Sequence, residues 1–285
     1  MASVRLPTYI RREEALRGRG LRILAIVSSG VRRELKRRWT LLALIAAILF
    51  GVISTIFNIF LAPLIQPGVV IDASFFFDTL TFPIVLFFIL VVAAAVGSGL
   101  ISDDMRHMSL TLYLSRPLTT GDYLAAKALI VGIFVFIAVA VPAIASPIVA
   151  AVLLYVGWEL ALQVLLAGAA FGLLTMVLFS LLALLFSSLT QRKGVAAAGT
   201  IASVLALEIL SVPLFGVFES LEVFHLSLYQ NLLAVGRVLY GLPASGITAF
   251  GFLAWEVSLP ILVALIAVFT TVAYTRIRSM EVITG

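Results

Sequence analysis

The chain has no cysteine, which removes disulfide staples, thiolate metal sites and cysteine nucleophiles at once. Histidine is almost as scarce: only His107 and His225 occur, too few for a His-based metal centre, and no metal site is expected. Charged residues make up 12% against about 25% in soluble domains, while 62% of the chain is hydrophobic, so a large soluble core is excluded. Nor is there a Gly-x-x-x-x-Gly-Lys-Ser/Thr loop to cradle phosphates. No cluster of nucleophile, acid-base or metal-binding groups recurs at one depth, as a membrane-embedded enzyme needs.

What is there is apolar length. Six runs, roughly residues 40 to 62, 83 to 101, 125 to 152, 161 to 187, 194 to 216 and 257 to 275, stand out over the 285 residues. Each is near or above the ~20 residues that carry a helix across a ~30 Å hydrocarbon core. Six crossings bring both termini to one side. The expectation is an all-α polytopic membrane protein with a single transmembrane domain over 1–285, in which a basic segment, 1–39, precedes a six-span bundle, 40–285.

The basic residues are distributed asymmetrically. Eleven of the 19 Lys and Arg precede Thr40; Arg106, Arg116, Lys127, Arg192, Lys193, Arg276 and Arg278 follow on the same side, and only Arg237 falls on the other. Basic loops stay cytoplasmic, which assigns both termini, the 102–127 loop and the 188–193 turn to the inside. Asp72, Asp78, Glu159, Glu219, Glu222 and Glu256 fall outside. Attraction to anionic lipid explains the same basic face, so a pI near 9.8 requires no nucleic acid.

The first 39 residues do not read as a cleavable signal, because the basic region is long and the apolar run behind it is full length. Within them Leu24, Val27, Val31 and Leu35 recur at helical spacing, with Arg22, Ser28, Arg32, Arg33, Lys36 and Arg37 between them. That pattern predicts a helix lying in the membrane interface, or else a basic anchor for the first span, and Trp39 suits the aromatic belt under either reading.

The 102–127 loop is the richest polar stretch. Met105, Met108 and Leu112 at i, i+3 and i+7 predict a short helix from about Asp103 to Leu114, with Asp103 and Asp104 in its first turn and Arg106 and His107 beside the apolar stripe. Pro117 stops it, and Thr119 with Asp122 forms a capping-box start for the third span. An apolar face on so short a loop implies a cover: a cytoplasmic partner, the other inner loops or the membrane surface.

These residues carry a resemblance. Leu114-Ser115-Arg116-Pro117-Leu118, then Asp122-Tyr123-Leu124 and Lys127, resembles the segment between spans two and three of the exporter-type (type 2) ABC transporter permeases. The likeness extends to the basic amphipathic segment ending in Arg33, Glu34 and Lys36, the six spans and the long last external loop. It implies a coupling helix over Asp103 to Leu114 docked on a separate ATPase subunit, two copies of which serve the assembly, and an interfacial helix over residues 21 to 38. It also implies a second permease subunit, identical or homologous, around a shared path. ATP and Mg would sit on the ATPase, with no cofactor on this chain, in the cell (plasma) membrane.

Glu208 lies within the fifth apolar run, where a charged side chain costs ~2.5 to 3.5 kcal/mol on insertion scales. With Ser203 and Ser211 it is a candidate for the translocation path, or alternatively a protonated packing residue. An ion-coupled carrier built on Glu208 is the rival function, although no internal repeat accompanies it. A purely structural subunit is a further reading. In the segment from Val217 to Glu256, Leu226, Tyr229, Leu233 and Tyr240 alternate with Gln230, Asn231 and Arg237, which predicts an amphipathic stretch on the outer interface or dipping back into the membrane. Pro142 and Pro147 predict that the third span bends or ends early.

Overall fold

The structure, a computed structural model, describes residues 18–65, 70–107, 119–153, 155–242 and 253–283. All regular structure among them is helical: α1 (Arg19–Leu35), α2 (Arg38–Ile65), α3 (Ala73–Leu80), α4 (Pro83–Arg106), α5 (Thr120–Val152), α6 (Trp158–Leu189), α7 (Lys193–Phe218), a 3-10 turn (Leu221–Leu226), α8 (Leu228–Leu239) and α9 (Trp255–Ile283). Helices α2, α4, α5, α6, α7 and α9 are each long and apolar enough to cross a membrane. The chain is a multi-pass α-helical membrane protein. Alternate crossings define a basic end, carrying the chain from Arg19 to Arg38, and an acidic end, carrying α3 and α8.

The spans outrun their apolar cores. Helix α4 continues to Arg106, so Asp103 and Asp104 close a membrane span where the spacing of Met105, Met108 and Leu112 predicted that they open a new helix. Helix α5 begins at Thr120, behind a complete capping box of Thr119 and Asp122. It also runs unbroken through Pro142 and Pro147 to Val152, so the third span does not end early. Neighbouring helices make internal proline tolerable in a membrane bundle. Here Pro142 packs against α2, where a Cβ on Gly51 would lie 2.8 Å from its ring.

Helices α4, α5 and α6 form the enclosed centre, and α4 is the most buried span. Without a hydrophobic force between helices in lipid, association depends on close packing of small residues. Gly97 supplies it between α4 and α6: a Cβ there would lie 2.5 Å from Ala183 Cβ. One step on, Ser187 of α6 donates from Oγ to the Ser98 carbonyl at 2.9 Å and accepts from the amides of Ile101 and Ser102 at 3.1 Å. Helices α2, α7 and α9 lie around this centre with most of their apolar surface exposed.

Helix α1 packs along α5, its Gly30 pressed onto Ile130. The face turned to the bundle is Ile23, Ile26, Val27, Val31 and Glu34, whereas Leu21, Leu24 and Leu35 stay exposed. The apolar stripe predicted for this helix is therefore divided, with Val27 and Val31 on the protein and Leu24 and Leu35 free to meet lipid. At the acidic end, α8 is sunk into the bundle with both its faces covered, including Gln230 and Asn231.

Candidate functional sites at the two ends of the bundle

At the basic end four helix termini are tied together: both ends of α1, the end of α4 and the start of α5. Arg19, opening α1, places Nη2 2.8 Å from Oδ1 of Asp122, the capping-box residue of α5. Glu34, closing α1, has no exposed side-chain surface; Thr40 donates to its Oε2 at 3.3 Å, and Arg37 Nη1 lies 3.1 Å from Oε1. Burial pushes the Glu34 carboxyl above the ordinary range despite Arg37 and Arg33 beside it. Arg37 also reaches α4, its Nη2 3.1 Å from Asp103 Oδ2. Gly99 makes room for it, since a Cβ there would lie 3.1 Å from both Arg37 Nη1 and Asp103 Oδ2.

Between α4 and α5, Asp104 accepts from the Tyr123 hydroxyl at 2.7 Å and pairs with Lys127 Nζ at 2.7 Å, both charged side chains about 95% covered. The Lys127 ammonium also stands 5.2 Å from the Tyr123 ring centroid. Two acids at a helix C-terminus oppose the helix dipole, and Arg37 from the α1–α2 turn and Lys127 from α5 offset them.

The expected docking residues and the family-motif residues thus divide. Asp103, Asp104, Asp122 and Lys127 form an internal clasp; Asp104 in particular is turned into the bundle, so it is not part of an outward face. Met105 is half-buried against the core, while Arg106 and His107 are exposed. Met108, Leu112, Arg116 and Pro117 lie outside the described residues.

At the acidic end, Glu208 sits about 15 Å along α7 from its Phe218 end at 1.5 Å per residue. It is hydrogen-bonded by the Ser227 hydroxyl, and Gln230 Nε2 donates to its Oε1 at 2.7 Å. Ser227 also caps α8, accepting from the Gln230 amide at 3.2 Å. Asn231 Nδ2 donates to the carbonyls of His225 and Ser227 at 2.7 Å each, which turns its oxygen to His225 Nδ1 at 2.9 Å and requires that nitrogen to carry the proton.

Glu208 borders a cavity of about 330 Å³ between α3, α4, α7 and α8, with Asp78, Thr81, Tyr229, Gln230 and Arg237 as its other polar residues. Arg237 Nη1 is 3.5 Å from Asp78 Oδ1, and its guanidinium lies 5.8 Å from the Phe77 ring centroid. Burial, and the Glu208 charge beside it, raise the Tyr229 hydroxyl far above its usual range, so it stays protonated.

The strip of Glu208, Ser203 and Ser211 is not assembled as one path. Ser211 donates to the Glu208 carbonyl at 2.7 Å and is buried; Ser203 donates to the Thr200 carbonyl at 3.1 Å and borders a separate cavity toward α6 and α9. The Glu208 partners Ser227 and Gln230, and the Asp78–Arg237 pair, were missed in the sequence. Gln230 and Arg237 were visible there as the polar side of an amphipathic stretch, yet nothing in that spacing says which carboxylate they meet. No family model matches the sequence, and no curated protein matches it.

Proposed function

We propose that this chain is a membrane-spanning permease subunit of an ATP-binding cassette transporter of the exporter type. In this reading the basic end and both termini are cytoplasmic in the cell membrane, as the distribution of Lys and Arg directs. A pair of such subunits exposes its path alternately to the two sides, driven by two copies of a separate ATPase subunit that hold ATP and Mg. The observation that carries it is the clasp. The 108–118 connection joins α4, which ends at Arg106, to α5, which begins at Thr120, and these helix ends are latched by Arg37, in the turn just past α1, to Asp103 and by Arg19, opening α1, to Asp122. A force on that connection would be delivered to three helices together, as a coupling element requires.

The rival is an ion-coupled carrier, and one observation favours it: Glu208 is held by hydrogen bonds at the edge of a cavity rather than packed in apolar surroundings. Mild detergent extraction followed by mass spectrometry of the co-purifying chains separates the two. A stoichiometric subunit with a phosphate loop is expected, and a chain that purifies alone or only with itself overturns the permease reading. Arg106→Glu with His107→Glu should then release that subunit, since both side chains are exposed. Met105 suits this purpose poorly because it packs against the core.

A further inference from the structure

We propose that the cavity at the acidic end binds a primary or secondary ammonium carried on a compact apolar body, with Glu208 as its counter-ion. Three observations converge. The first is charge: Asp78 and Glu208 face Arg237 alone, which leaves one formal negative charge on the cavity wall. The second is unfilled hydrogen-bonding capacity. Glu208 accepts one hydrogen bond on each oxygen, from Ser227 and from Gln230, where a carboxylate has room for about four. A ligand that supplies donors to the open positions is therefore favoured. The third is shape: Phe77, Phe82, Leu86, Phe87, Leu205 and Leu233 give the cavity apolar and aromatic walls that suit a hydrocarbon body.

An ammonium brings two or three N–H donors to a wall that holds two carboxylates. A carboxylate or phosphate would meet Asp78 and Glu208 as like charges. The inference rests on the permease reading only in making this ligand a cargo; binding itself needs no ATPase.

The test is equilibrium dialysis of radiolabelled 2-phenylethylamine against the purified full chain in detergent at pH 7.5, with 2-phenylethanol and 3-phenylpropanoate as competitors. Saturable binding of one amine per chain is expected, with the alcohol and the acid at least tenfold weaker. Glu208→Gln should weaken the amine at least tenfold. Asp78→Asn, at a largely exposed carboxylate of the same wall, should weaken it several-fold. The proposal is overturned by the absence of saturable amine binding, by equal or tighter binding of the acid, or by amine binding that Glu208→Gln and Asp78→Asn leave unchanged. A chain that binds the amine but co-purifies with no ATPase keeps this inference and discards the permease.

Discussion

Exchanging a single methyl group between α4 and α6 tests the packing on which both sites depend. Gly97→Ala would place a Cβ 2.5 Å from Ala183 Cβ, whereas carbon atoms rest about 3.5 to 4.0 Å apart, so the helices must part by about 1 Å. Ala183 presents a short Cβ with backbone behind it, and no rotamer relieves the clash. Overpacking of this kind costs about 1 to 3 kcal/mol, and the better helix propensity of alanine returns at most about 1 kcal/mol. Ala183→Gly should cost a similar amount, about 1 kcal/mol for the missing methyl contact and about 1 kcal/mol for glycine in a helix. The exchanged pair Gly97→Ala with Ala183→Gly conserves methyl count and propensity and should return near the parent. The two singles therefore sum to a loss of about 2 to 4 kcal/mol that the double does not show, a coupling energy well above the scatter of independent sites. Unfolding by SDS in mixed dodecylmaltoside micelles, followed through Trp39, Trp158 and Trp255 fluorescence, measures all four proteins. Additive losses, or a harmless Gly97→Ala, would refute the close approach of α4 and α6.

Ser187→Ala removes the hydroxyl that bridges the same seam and leaves the Ile101 amide to its own helix. Interhelical hydrogen bonds in membranes average about 0.6 kcal/mol, so a loss of about 0.5 to 1.5 kcal/mol is expected in the same assay, and none would show the bridge idle. Two carboxylates outside the spans should tilt stability against pH in opposite senses. At Asp72, burial is outweighed by the Ser74 hydroxyl at 2.6 Å and the Phe75 amide at 3.1 Å, which hold its carboxyl below the ordinary range. Its stabilisation is present above the unfolded value near 3.9 and is lost as pH falls through the folded value, and Asp72→Ala should abolish that acid loss. Glu34 is shifted upward, so the folded chain holds its proton more tightly and stability falls as pH rises from about 4 toward the folded value. Glu34→Gln should flatten that fall, read as the midpoint temperature of parent minus variant between pH 4 and 7; an unchanged difference refutes the assignment.

The six spans were legible because an apolar run of about twenty residues has few alternatives to crossing a membrane. The capping box of Thr119 and Asp122 was legible for a similar reason, being wholly local. The helix ends were not. Hydropathy stops where charge begins, whereas α4 carries Asp103, Asp104 and Arg106 as continuing helix because Arg37 and Lys127 neutralise those acids. Partners so far apart leave no periodic trace: Arg19 meets Asp122 across 103 positions and Arg37 meets Asp103 across 66. Glu208 was conspicuous as a charge in a span, but its significance lies in Ser227 and Gln230, supplied by a segment that the sequence showed only as amphipathic.

One helix touches both sites. Helix α4 opens at the cavity with Pro83, Leu86 and Phe87 and closes at the clasp with Asp103 and Asp104. It is a rod of 24 residues, about 36 Å at 1.5 Å per residue, so a displacement at one end is felt at the other. The close approach of Gly97 to Ala183 and the Ser187 bridge join α4 to α6, and those two should move as one body. Helix α7 is the least enclosed span and meets α4 across the cavity that holds Glu208. Any rearrangement that changes the cavity is therefore expected between α4 and α7, not within the α4–α6 seam. The absence of cysteine makes this directly measurable, because paired cysteines at exposed positions can carry spin labels on an otherwise unreactive chain. Saturation with 2-phenylethylamine should shift the distance between labels at Ile84 and Val212, across α4 and α7, and leave that between Ile84 and Leu166, across α4 and α6, unchanged. A shift across the seam, or in neither pair, would show that α4 does not link the cavity to the clasp in this way.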